Sequence, residues 1–324
     1  MSGDVFAVVL AAGKGTRMKS DMAKVLHVVF FAPMVNHVID MLQQITLEKI
    51  VVVTGHQHKR VEESLSHYDV VFARQKEQLG TGHAVLSAQP YLRSGKGTVL
   101  ILCGDTPLVK AETLKSMLAE HESKGAALSV MTTILSDPTN YGRVITDDSG
   151  SVLKIVEEKD ASVDERLVQE VNAGIYCVEL DFLFGALQKV GTDNAQGEVY
   201  LTDIVQIACN EGRQVTKFLC GDPLEITGVN SRVELAVAHK ILQQRRNRDL
   251  MLQGISMYDP ETTCIEPSVS VGQDTLIYGN CHLSGATTIG AGVTIEPFVN
   301  LHDRTIGDGC LVKSFTYATG NHLA

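Results

Sequence analysis

The chain alternates between continuous apolar runs and helical spacing up to about Thr132. Apolar runs at Val5–Leu10, Lys49–Thr54, Val70–Ala73 and Thr98–Cys103 are typical of strands buried on both faces. Helices are predicted between these strands, from Pro33 to Ile45, over Gly82–Ser87 and from about Lys110 to His121. This alternation predicts an α/β domain with a mostly parallel sheet and helices on both faces.

From Tyr141 to Gly228 the predicted elements become mixed. Strands are predicted at Arg143–Ile145, Val152–Val156 and Ala173–Val178, and helices near Phe182–Lys189 and Leu201–Asn210. A long helix with a polar face, about Ser231–Leu252, follows, and we interpret it as a connector between two domains.

After this helix the apolar period changes to six residues. One column holds Ile265, Val271, Ile277, Leu283, Ile289, Ile295 and Leu301, and a second holds Val269, Thr275, Cys281, Thr287, Val293 and Val299. Glycine follows the repeat at Gly272 and Gly290, and again at Gly307 after the register slips by one. Such a repeat predicts a left-handed parallel β-helix, whereas hairpins would need alternation with period two.

Composition limits the class of protein. The 324 residues, 44% of them hydrophobic, predict two globular domains. A formal net charge of −10 argues against nucleic-acid binding but allows a nucleotide in a local cationic pocket. No apolar stretch approaches the ~20 residues that span a membrane. With no recognisable secretion signal and seven cysteines that lack C-x-x-C spacing, we expect a cytoplasmic protein.

The first strand runs directly into a glycine-rich turn, AAGKGTR at Ala11–Arg17. Gly13 and Gly15 let the backbone approach an oxyanion, and the lysine and arginine of the turn supply positive charge. The P-loop pattern does not fit, and Met18 stands where a dinucleotide fingerprint needs its third glycine. The turn is a candidate phosphate site, and a plain strand-to-helix turn with solvated cations is the alternative.

Further candidates follow the ends of other strands. Asp105 is a candidate Mg²⁺ ligand, with a turn or capping role as the alternative, and capping also competes with a ligand role for Asn230. The amide of Gln75 suits the edge of a pyrimidine, and Gly80–Gly82 allows close approach of a base. The remaining candidates, each more typical of a turn or surface residue when taken singly, are Lys24, Gly142, Glu157 and Asn172.

Together these segments resemble a known family. The motifs that carry the resemblance are LAAGKGTRM (Leu10–Met18), KVLH (Lys24–His27), EQLGTGHA (Glu77–Ala84), GDTPL (Gly104–Leu108), DPTNYGR (Asp137–Arg143), VEEKDA (Val156–Ala161), VNAGIY (Val171–Tyr176), NAQGEVYLTD (Asn194–Asp203) and GVNSR (Gly228–Arg232). In order and spacing, the chain resembles the bacterial bifunctional N-acetylglucosamine-1-phosphate uridylyltransferases/glucosamine-1-phosphate acetyltransferases to about residue 320.

The resemblance implies a Rossmann-like, GT-A-like nucleotidyltransferase domain at residues 1–229, a linker helix at 230–254 and a truncated left-handed β-helix of hexapeptide repeats at 255–324. The implied reaction converts UTP and N-acetyl-α-D-glucosamine 1-phosphate to UDP-N-acetylglucosamine and diphosphate with Mg²⁺, supplying a precursor of peptidoglycan and lipopolysaccharide. A homotrimer associated through the β-helix is implied by analogy, with no nucleic-acid partner and no membrane insertion.

The resemblance also assigns roles to residues of this chain. By motif, uridine is assigned to Ala11, Ala12, Gly13, Gln75, Gly80 and Thr81, the triphosphate to the catalytic cations Arg17 and Lys24, Mg²⁺ to Asp105 and Asn230, and the sugar to Gly142, Glu157 and Asn172.

Three departures from the family pattern bear on function. Cys103 stands where tyrosine is usual, and Phe31-Ala32 replaces the usual Gly-Lys. About 60 residues follow Ile265, roughly three coils of about 18 residues, and the family's acetyl-CoA motifs on later coils are absent. We therefore expect no acetyltransferase activity from these residues.

Two other functions are compatible with the sequence. One is a sugar-1-phosphate nucleotidyltransferase with a different base or sugar. The other is a non-catalytic scaffold that only binds a nucleotide sugar, which the altered Cys103 and Phe31-Ala32 positions make conceivable. Pyrophosphate release across nucleoside triphosphates and sugar phosphates distinguishes all three.

Overall fold

A computed structural model describes residues 4–92 and 95–320 of the chain. The described residues divide into two units, one within residues 4–28 and 32–234 and the other within residues 29–31 and 235–320. Among the described residues, no helix has both the length and the apolar character needed to cross a bilayer.

The first unit is built from strands and helices that alternate along the chain, although Val29 of one short strand belongs to the second unit. The strands are β1 (Asp4–Ala11), β2 (Val28–Val29), β3 (Ala32–Pro33), β4 (Lys49–Thr54), β5 (Val71–Arg74), β6 (Gly97–Cys103), β7 (Leu128–Ile134), β8 (Arg143–Thr146), β9 (Val152–Val156), β10 (Glu170–Glu179) and β11 (Val215–Leu219). The helices are α1 (Met34–Leu42), α2 (His58–Ser64), α3 (Thr81–Ala88), α4 (Ala111–Lys124), α5 (Val163–Arg166), α6 (Leu180–Leu187), α7 (Asp203–Asn210) and the start of α8 (Arg232–Leu252).

The central sheet of this unit is mostly parallel, as its sequence predicts. Its strand order is β11-β7-β10-β6-β1-β4-β5, with β8 pairing β10 and β9 pairing β8. β1 is parallel to both β4 and β6, and β4 is parallel to β5. β10 runs antiparallel to β6 and β7. The sheet therefore contains both parallel and antiparallel pairs in the second half of the unit.

Helices cover both faces of the sheet because the central strands are apolar on both faces. Along β1, Phe6 and Val8 point into one core, which they share with α3, α6 and α7, while Ala7 and Val9 point into a second core with α1 and α4. The alternation of side chains along a strand therefore separates two hydrophobic layers with one sheet between them.

The predicted strands and helices of this unit are confirmed, with shifted ends. The helix predicted from Pro33 to Ile45 ends at Leu42, and the helix predicted to end at His121 continues to Lys124. β7, β11 and α2 are additional elements that the apolar pattern did not single out.

In the second unit, the part of the chain that the structure describes contains eleven short strands in three parallel sheets. The strands are β12 (Ser256–Met257), β13 (Cys264–Ile265), β14 (Ser270–Val271), β15 (Leu276–Ile277), β16 (His282–Ser284), β17 (Thr288–Ile289), β18 (Thr294–Ile295), β19 (Asn300–His302), β20 (Thr305–Ile306), β21 (Leu311–Val312) and β22 (Tyr317–Thr319). The sheet orders β12-β15-β18-β21, β13-β16-β19-β22 and β14-β17-β20 are those of a parallel β-helix.

Both apolar columns predicted from the six-residue repeat line the core of this β-helix. Every residue of the second column, from Val269 to Val299, is buried, and in the first column only Val271 is partly exposed. Cys281 and the threonines of the second column are therefore core residues, which confirms the repeat as a structural one.

The coils of the β-helix shorten along the chain. Met257 pairs with Ile277, twenty positions on. Leu283 pairs with Leu301, eighteen positions on, whereas Ile289 pairs with Ile306, seventeen positions on. The missing residue lies at the corner after β19, where Asp303 Oδ1 accepts the N–H of Ala286 at 2.7 Å. The glycine that follows β20, Gly307, therefore falls one position early in the repeat, as the sequence indicates.

Helix α8 closes the first coil of the β-helix with carboxamides. The amide of Asn247, which is fully buried, donates to the carbonyl oxygens of Pro260 and Thr263 at 2.7 and 2.8 Å. Gln243 donates to the carbonyl oxygen of Thr263 at 2.5 Å. Polar residues on this helix thus satisfy the orphan carbonyls at the end of the coil.

The buried imidazole of His121 makes the stability of the first unit depend on pH. His121 is 4% exposed and contacts Ser129 Oγ through Nδ1 at 2.8 Å. Burial lowers its pKa from the ordinary value of 6.5 to about 4. Between about pH 4 and pH 6.5 the unfolded chain binds a proton at His121 that the folded chain does not bind. The free energy of unfolding therefore rises with pH over this range.

We expect acidification from pH 7.5 to pH 5 to cost about 2 kcal/mol of unfolding free energy through His121 alone. His121→Gln keeps a hydrogen-bonding group for Ser129 but cannot titrate, so its stability should fall less over the same range. Urea unfolding of both proteins at the two pH values measures the difference. Equal losses would contradict the assignment.

Candidate active site

Polar loops follow the carboxyl ends of β1, β4 and β6 at one edge of the sheet. Parallel neighbours end at the same edge, and this is where ligands bind in open α/β sheets. The loops are held together by backbone hydrogen bonds: the N–H of Gly104 donates to Leu10 O at 2.9 Å, and that of His56 donates to Ala12 O at 3.1 Å. The turn after β1 is therefore fixed to both neighbouring loops.

Three adjoining cavities open at this edge, of about 300, 230 and 500 Å³. We call them the Gln75 cavity, the Glu157 cavity and the Lys14 cavity. All of the residues singled out from the sequence line these cavities. The Gln75 cavity is lined by Ala11, Ala12, Gly13, Lys24, Gln75, Gly80, Thr81 and Asp105, and the Glu157 cavity by Arg17, Asp105, Gly142, Glu157, Asn172 and Asn230. Arg17, Lys24 and Asn230 also line the Lys14 cavity. The fold thus brings every one of them together.

The Lys14 cavity is the cationic one. Its lining contains Lys14, Arg17 and Lys24 and, among the residues that the structure describes, no carboxylate. Such a cavity suits a polyanion because three cationic side chains line it and no carboxylate does, although Lys24 is paired with Asp105 beside it.

Lys24 lies where the Gln75 and Lys14 cavities meet. Its ammonium forms an ion pair with Asp105 Oδ2 and donates to Asn230 Oδ1 at 2.9 Å. Arg17 Nη2 donates to the same Asn230 oxygen, also at 2.9 Å. The side chains of Lys24 and Arg17 therefore meet those of Asp105 and Asn230, which come from distant parts of the chain.

Asp105 and Asn230 fit a divalent metal. Their oxygens already face a common cation, the Lys24 ammonium, and a carboxylate with a carboxamide oxygen suits Mg²⁺, which takes few protein ligands. Within residues 4–92 and 95–320, no group of three or more His, Cys, Asp or Glu side chains is placed to hold a metal. The pair is thus suited to a metal that completes its shell with water and phosphate.

Two glycines are required by close packing. Gly15 has φ of +67°, and a Cβ there would lie 2.5 Å from the Cβ of Lys24. Gly80 has φ of +110°, and a Cβ there would lie 2.5 Å from Val199 O. No side chain fits at either position. Gly15 therefore lets the turn approach Lys24, and Gly80 lets the wall of the Gln75 cavity pack against the segment before α7.

Gln75 is held rigidly although it faces a cavity. It is 3% exposed, and its Nε2 donates to Gly80 O at 3.1 Å and contacts His83 Nδ1 at 3.0 Å. Both amide hydrogens are therefore engaged, which leaves the carbonyl oxygen Oε1 as the acceptor for a ligand. Thr81 is likewise engaged, because its hydroxyl accepts the N–H of Leu201 at 3.0 Å.

The Glu157 cavity contains a carboxylate with a raised pKa. Burial is the main cause of the raised pKa of Glu157, and the Thr202 hydroxyl, which donates to it at 3.2 Å, opposes the shift. Asn172 is fixed at both ends of its amide: Nδ2 donates to Tyr176 Oη at 2.6 Å and Oδ1 accepts from Gly174 N at 2.9 Å. These oriented groups suit recognition of hydroxyl groups.

Cys103 lies on the boundary between the Gln75 and Glu157 cavities and lines both. Burial, and then the Asp105 carboxylate, raise the pKa of its thiol to about 12. The thiol is therefore protonated at neutral pH, which makes it a poor nucleophile.

Some residues of the site were not singled out from the sequence. Gln57 holds the segment before Lys24, donating from Nε2 to Asp21 O at 2.6 Å and accepting at Oε1 from Ala23 N at 3.1 Å. Glu234 lines the Glu157 cavity. Its spacing, Ser-x-x-Glu from Ser231, is that of a capping box and could have identified it. No comparable local signal marks Gln57.

Comparison with known proteins identifies relatives along nearly the whole chain. The nucleotidyl transferase family matches residues 6–222. The bifunctional protein GlmU of Pelobacter propionicus is 49% identical over 96% of this chain and 68% of its own length. The GlmU proteins of Geobacter metallireducens and Desulfotalea psychrophila are 51% and 45% identical, over 91% and 98% of this chain. The chain spans 62% of the length of the first of these and 94% of the second.

A solved structure supports the fold alone. A putative glucose-1-phosphate thymidylyltransferase from Bacillus anthracis, in complex with a sucrose, aligns with a TM-score of 0.59 at 19% identity. The alignment covers 73% of this chain and 94% of that chain.

We expect Gly80→Ala to destabilise the chain by more than about 2 kcal/mol, because the added methyl group meets backbone and φ is unfavourable. Gly212→Ala is the matched control: φ there is +66° but nothing lies within 4 Å of the added Cβ. It should cost only the left-handed penalty of about 1 kcal/mol. Urea unfolding measures both values, and equal costs would show that Val199 yields to the methyl group.

Proposed function

Because the chain belongs to the nucleotidyl transferase family and, within it, to the GlmU proteins, we propose that it transfers a uridylyl group from UTP to N-acetyl-α-D-glucosamine 1-phosphate. The products are UDP-N-acetylglucosamine and pyrophosphate. The observation that carries the proposal is the cluster of Lys24, Asp105 and Asn230. Around this cluster a cationic cavity adjoins one suited to a base and one suited to hydroxyl groups.

The reaction is a displacement at the α-phosphorus of UTP. A phosphate oxygen of the sugar phosphate forms the new bond to phosphorus, and the bond from phosphorus to the bridging oxygen breaks. Pyrophosphate then leaves with the electron pair. No base has to remove a proton first, since the attacking phosphate is already anionic. The protein must therefore supply position and charge neutralisation.

Charge neutralisation is the role we propose for the residues around Lys24. Arg17 and Lys24 bind the triphosphate and the leaving pyrophosphate, in the cavity that Lys14 also lines. Asp105 and Asn230 would hold Mg²⁺, which when bound offsets negative charge on the phosphate oxygens. Lys24, whose ammonium contacts both Asp105 and Asn230, would lie beside the bound phosphates.

Substrate recognition is the role we propose for the other two cavities. Ala11, Ala12, Gly13, Gly80 and Thr81 surround the uridine, with Gln75 Oε1 as acceptor for the N–H of the uracil ring. Gly142, Glu157 and Asn172 position the sugar. A pyrimidine that lacks this N–H, such as cytosine, leaves Gln75 Oε1 unpaired, and this supports selection of UTP.

Association of the chain as a homotrimer through the β-helix is part of the proposal. Light scattering should give three times the chain mass of 35.1 kDa. A mass of one chain at micromolar concentration would exclude the trimer without touching the proposed reaction.

Pyrophosphate release, measured across four nucleoside triphosphates and several sugar 1-phosphates with and without Mg²⁺, tests the activity. We expect the highest kcat/KM for UTP with N-acetylglucosamine 1-phosphate, and turnover only with the metal. Asp105→Ala and Arg17→Ala should each lower kcat about 10²-fold or more. Asp148→Ala, at an exposed position, is the matched control.

The panel also separates the alternatives. A preference for another base or sugar would identify a different nucleotidyltransferase. Binding of UDP-N-acetylglucosamine without pyrophosphate release under any condition would identify a scaffold. Unchanged turnover in Asp105→Ala and Arg17→Ala would show that the active site lies elsewhere.

A further inference from the structure

Asn230 is held by its backbone as well as by its side chain. The N–H of Val229, a fully buried residue, donates to Asp105 O at 2.9 Å, so the segment that carries Asn230 is joined directly to Asp105. Asn230 Nδ2 donates to Gly228 O at 3.0 Å, which turns Oδ1 toward Lys24 and Arg17. The direction of this oxygen therefore depends on how the backbone of Asn230 is set.

The carboxylate of Glu234 fixes the position of the Asn230 backbone. Its Oε2 accepts the N–H of Asn230 at 2.6 Å, and its own N–H donates to Ser231 Oγ at 3.2 Å. A carboxylate that accepts from a backbone N–H makes a short and strong hydrogen bond, about twice as strong as a neutral one. Removing the carboxylate leaves the N–H of Asn230 without this acceptor.

The chain contains a regular capping box with which this arrangement can be compared. At the start of α5, Ser162 Oγ accepts from Glu165 N at 3.3 Å, and Glu165 Oε2 accepts from the N–H of Ser162 itself at 2.9 Å. At the start of α8 the glutamate instead bonds to the residue before the serine. The contact is displaced by one residue, from Ser231 to Asn230.

The displacement brings the carboxylate of Glu234 to the site. Glu234 lines the Glu157 cavity together with Asp105, Asn230 and Arg17. The pKa of the Tyr141 hydroxyl, which lines the same cavity, is raised first by burial and then by the charges of Glu234 and Asp105. The negative charge of Glu234 is thus felt among the groups that would surround a metal.

We propose that Glu234 is a positioning residue that holds Asn230 in place to ligate the divalent metal, through the hydrogen bond from the N–H of Asn230 to its carboxylate. This inference rests on the proposed function. Partners that orient a metal ligand without touching the metal commonly change metal affinity 10- to 100-fold. The hydrogen bond, rather than the charge of Glu234 alone, determines the direction of the side-chain oxygen of Asn230.

Mn²⁺ binding to the full chain, followed by the electron paramagnetic resonance signal of the free ion with saturating UDP-N-acetylglucosamine present, tests the proposal. We expect Glu234→Ala to raise the Kd for Mn²⁺ about 10-fold. Glu234→Gln, which keeps an acceptor for the N–H of Asn230, should raise it less than about 3-fold. Glu165→Ala, which removes the glutamate of the regular capping box, is the matched control and should leave the Kd unchanged.

Activity gives a second readout. In Glu234→Ala, turnover should fall at low Mg²⁺ and recover toward that of the unaltered chain at saturating Mg²⁺, because the ligand is displaced but present. Thermal melting of all variants identifies any that fail to fold. If Glu234→Ala does, a Kd for Mn²⁺ raised more than about 3-fold in Glu234→Gln would contradict the proposal.

Asp105→Ala separates failure of this inference from failure of the proposed function. If Asp105→Ala abolishes Mn²⁺ binding while Glu234→Ala leaves it unchanged, the metal site stands and the role of Glu234 is wrong. If Glu234→Gln weakens binding as much as Glu234→Ala, charge acts instead of the hydrogen bond, and positioning is wrong. If Asp105→Ala binds Mn²⁺ normally, the proposed metal site itself is wrong.

Discussion

The ammonium of Lys24 lies between Asp105 and Asn230, and the arrangement of the site depends on this contact. The three residues come from separate parts of the chain: one follows the turn after β1, one follows β6, and one precedes α8. An uncompensated carboxylate beside an amide oxygen would be costly at a partly buried edge. A single cation therefore joins the three segments and keeps two oxygen ligands facing one point.

The strand order makes this contact possible. β1 lies between β4 and β6, so the loops after these strands are neighbours and can exchange backbone hydrogen bonds. Cavities that suit different ligands adjoin as a consequence: positive charge converges on the Lys14 side, while carboxylates face the Glu157 side. Two anions can thus meet at an edge that carries cations, although the chain as a whole is acidic.

The sequence was most informative where a local pattern has one structural meaning. The six-residue repeat predicted which side chains fill the β-helix, down to buried Cys281 and Thr287, because each coil places equivalent residues in the same column. The glycine-rich turn lines the Lys14 cavity, and its binding of phosphate stays a prediction. The residues gathered at the sheet edge came from motifs, and their individual roles stay predictions, as does the absence of acetyltransferase activity.

The sequence was least informative where a residue acts through a distant partner. The sequence suggested that Gly80 allows close approach of a base, but the structure places Val199 against it. No local pattern predicts this contact between distant residues. Gln57 supports the segment before Lys24 from another loop. The missing residue in the third coil has a different consequence. Asp303 accepts the N–H of Ala286 at that corner, and the strand pairing continues beyond it, with Ile295 opposite Val312. Corners of this β-helix can therefore vary in length among homologous chains, and gaps between aligned sequences should fall at the corners rather than within the short strands.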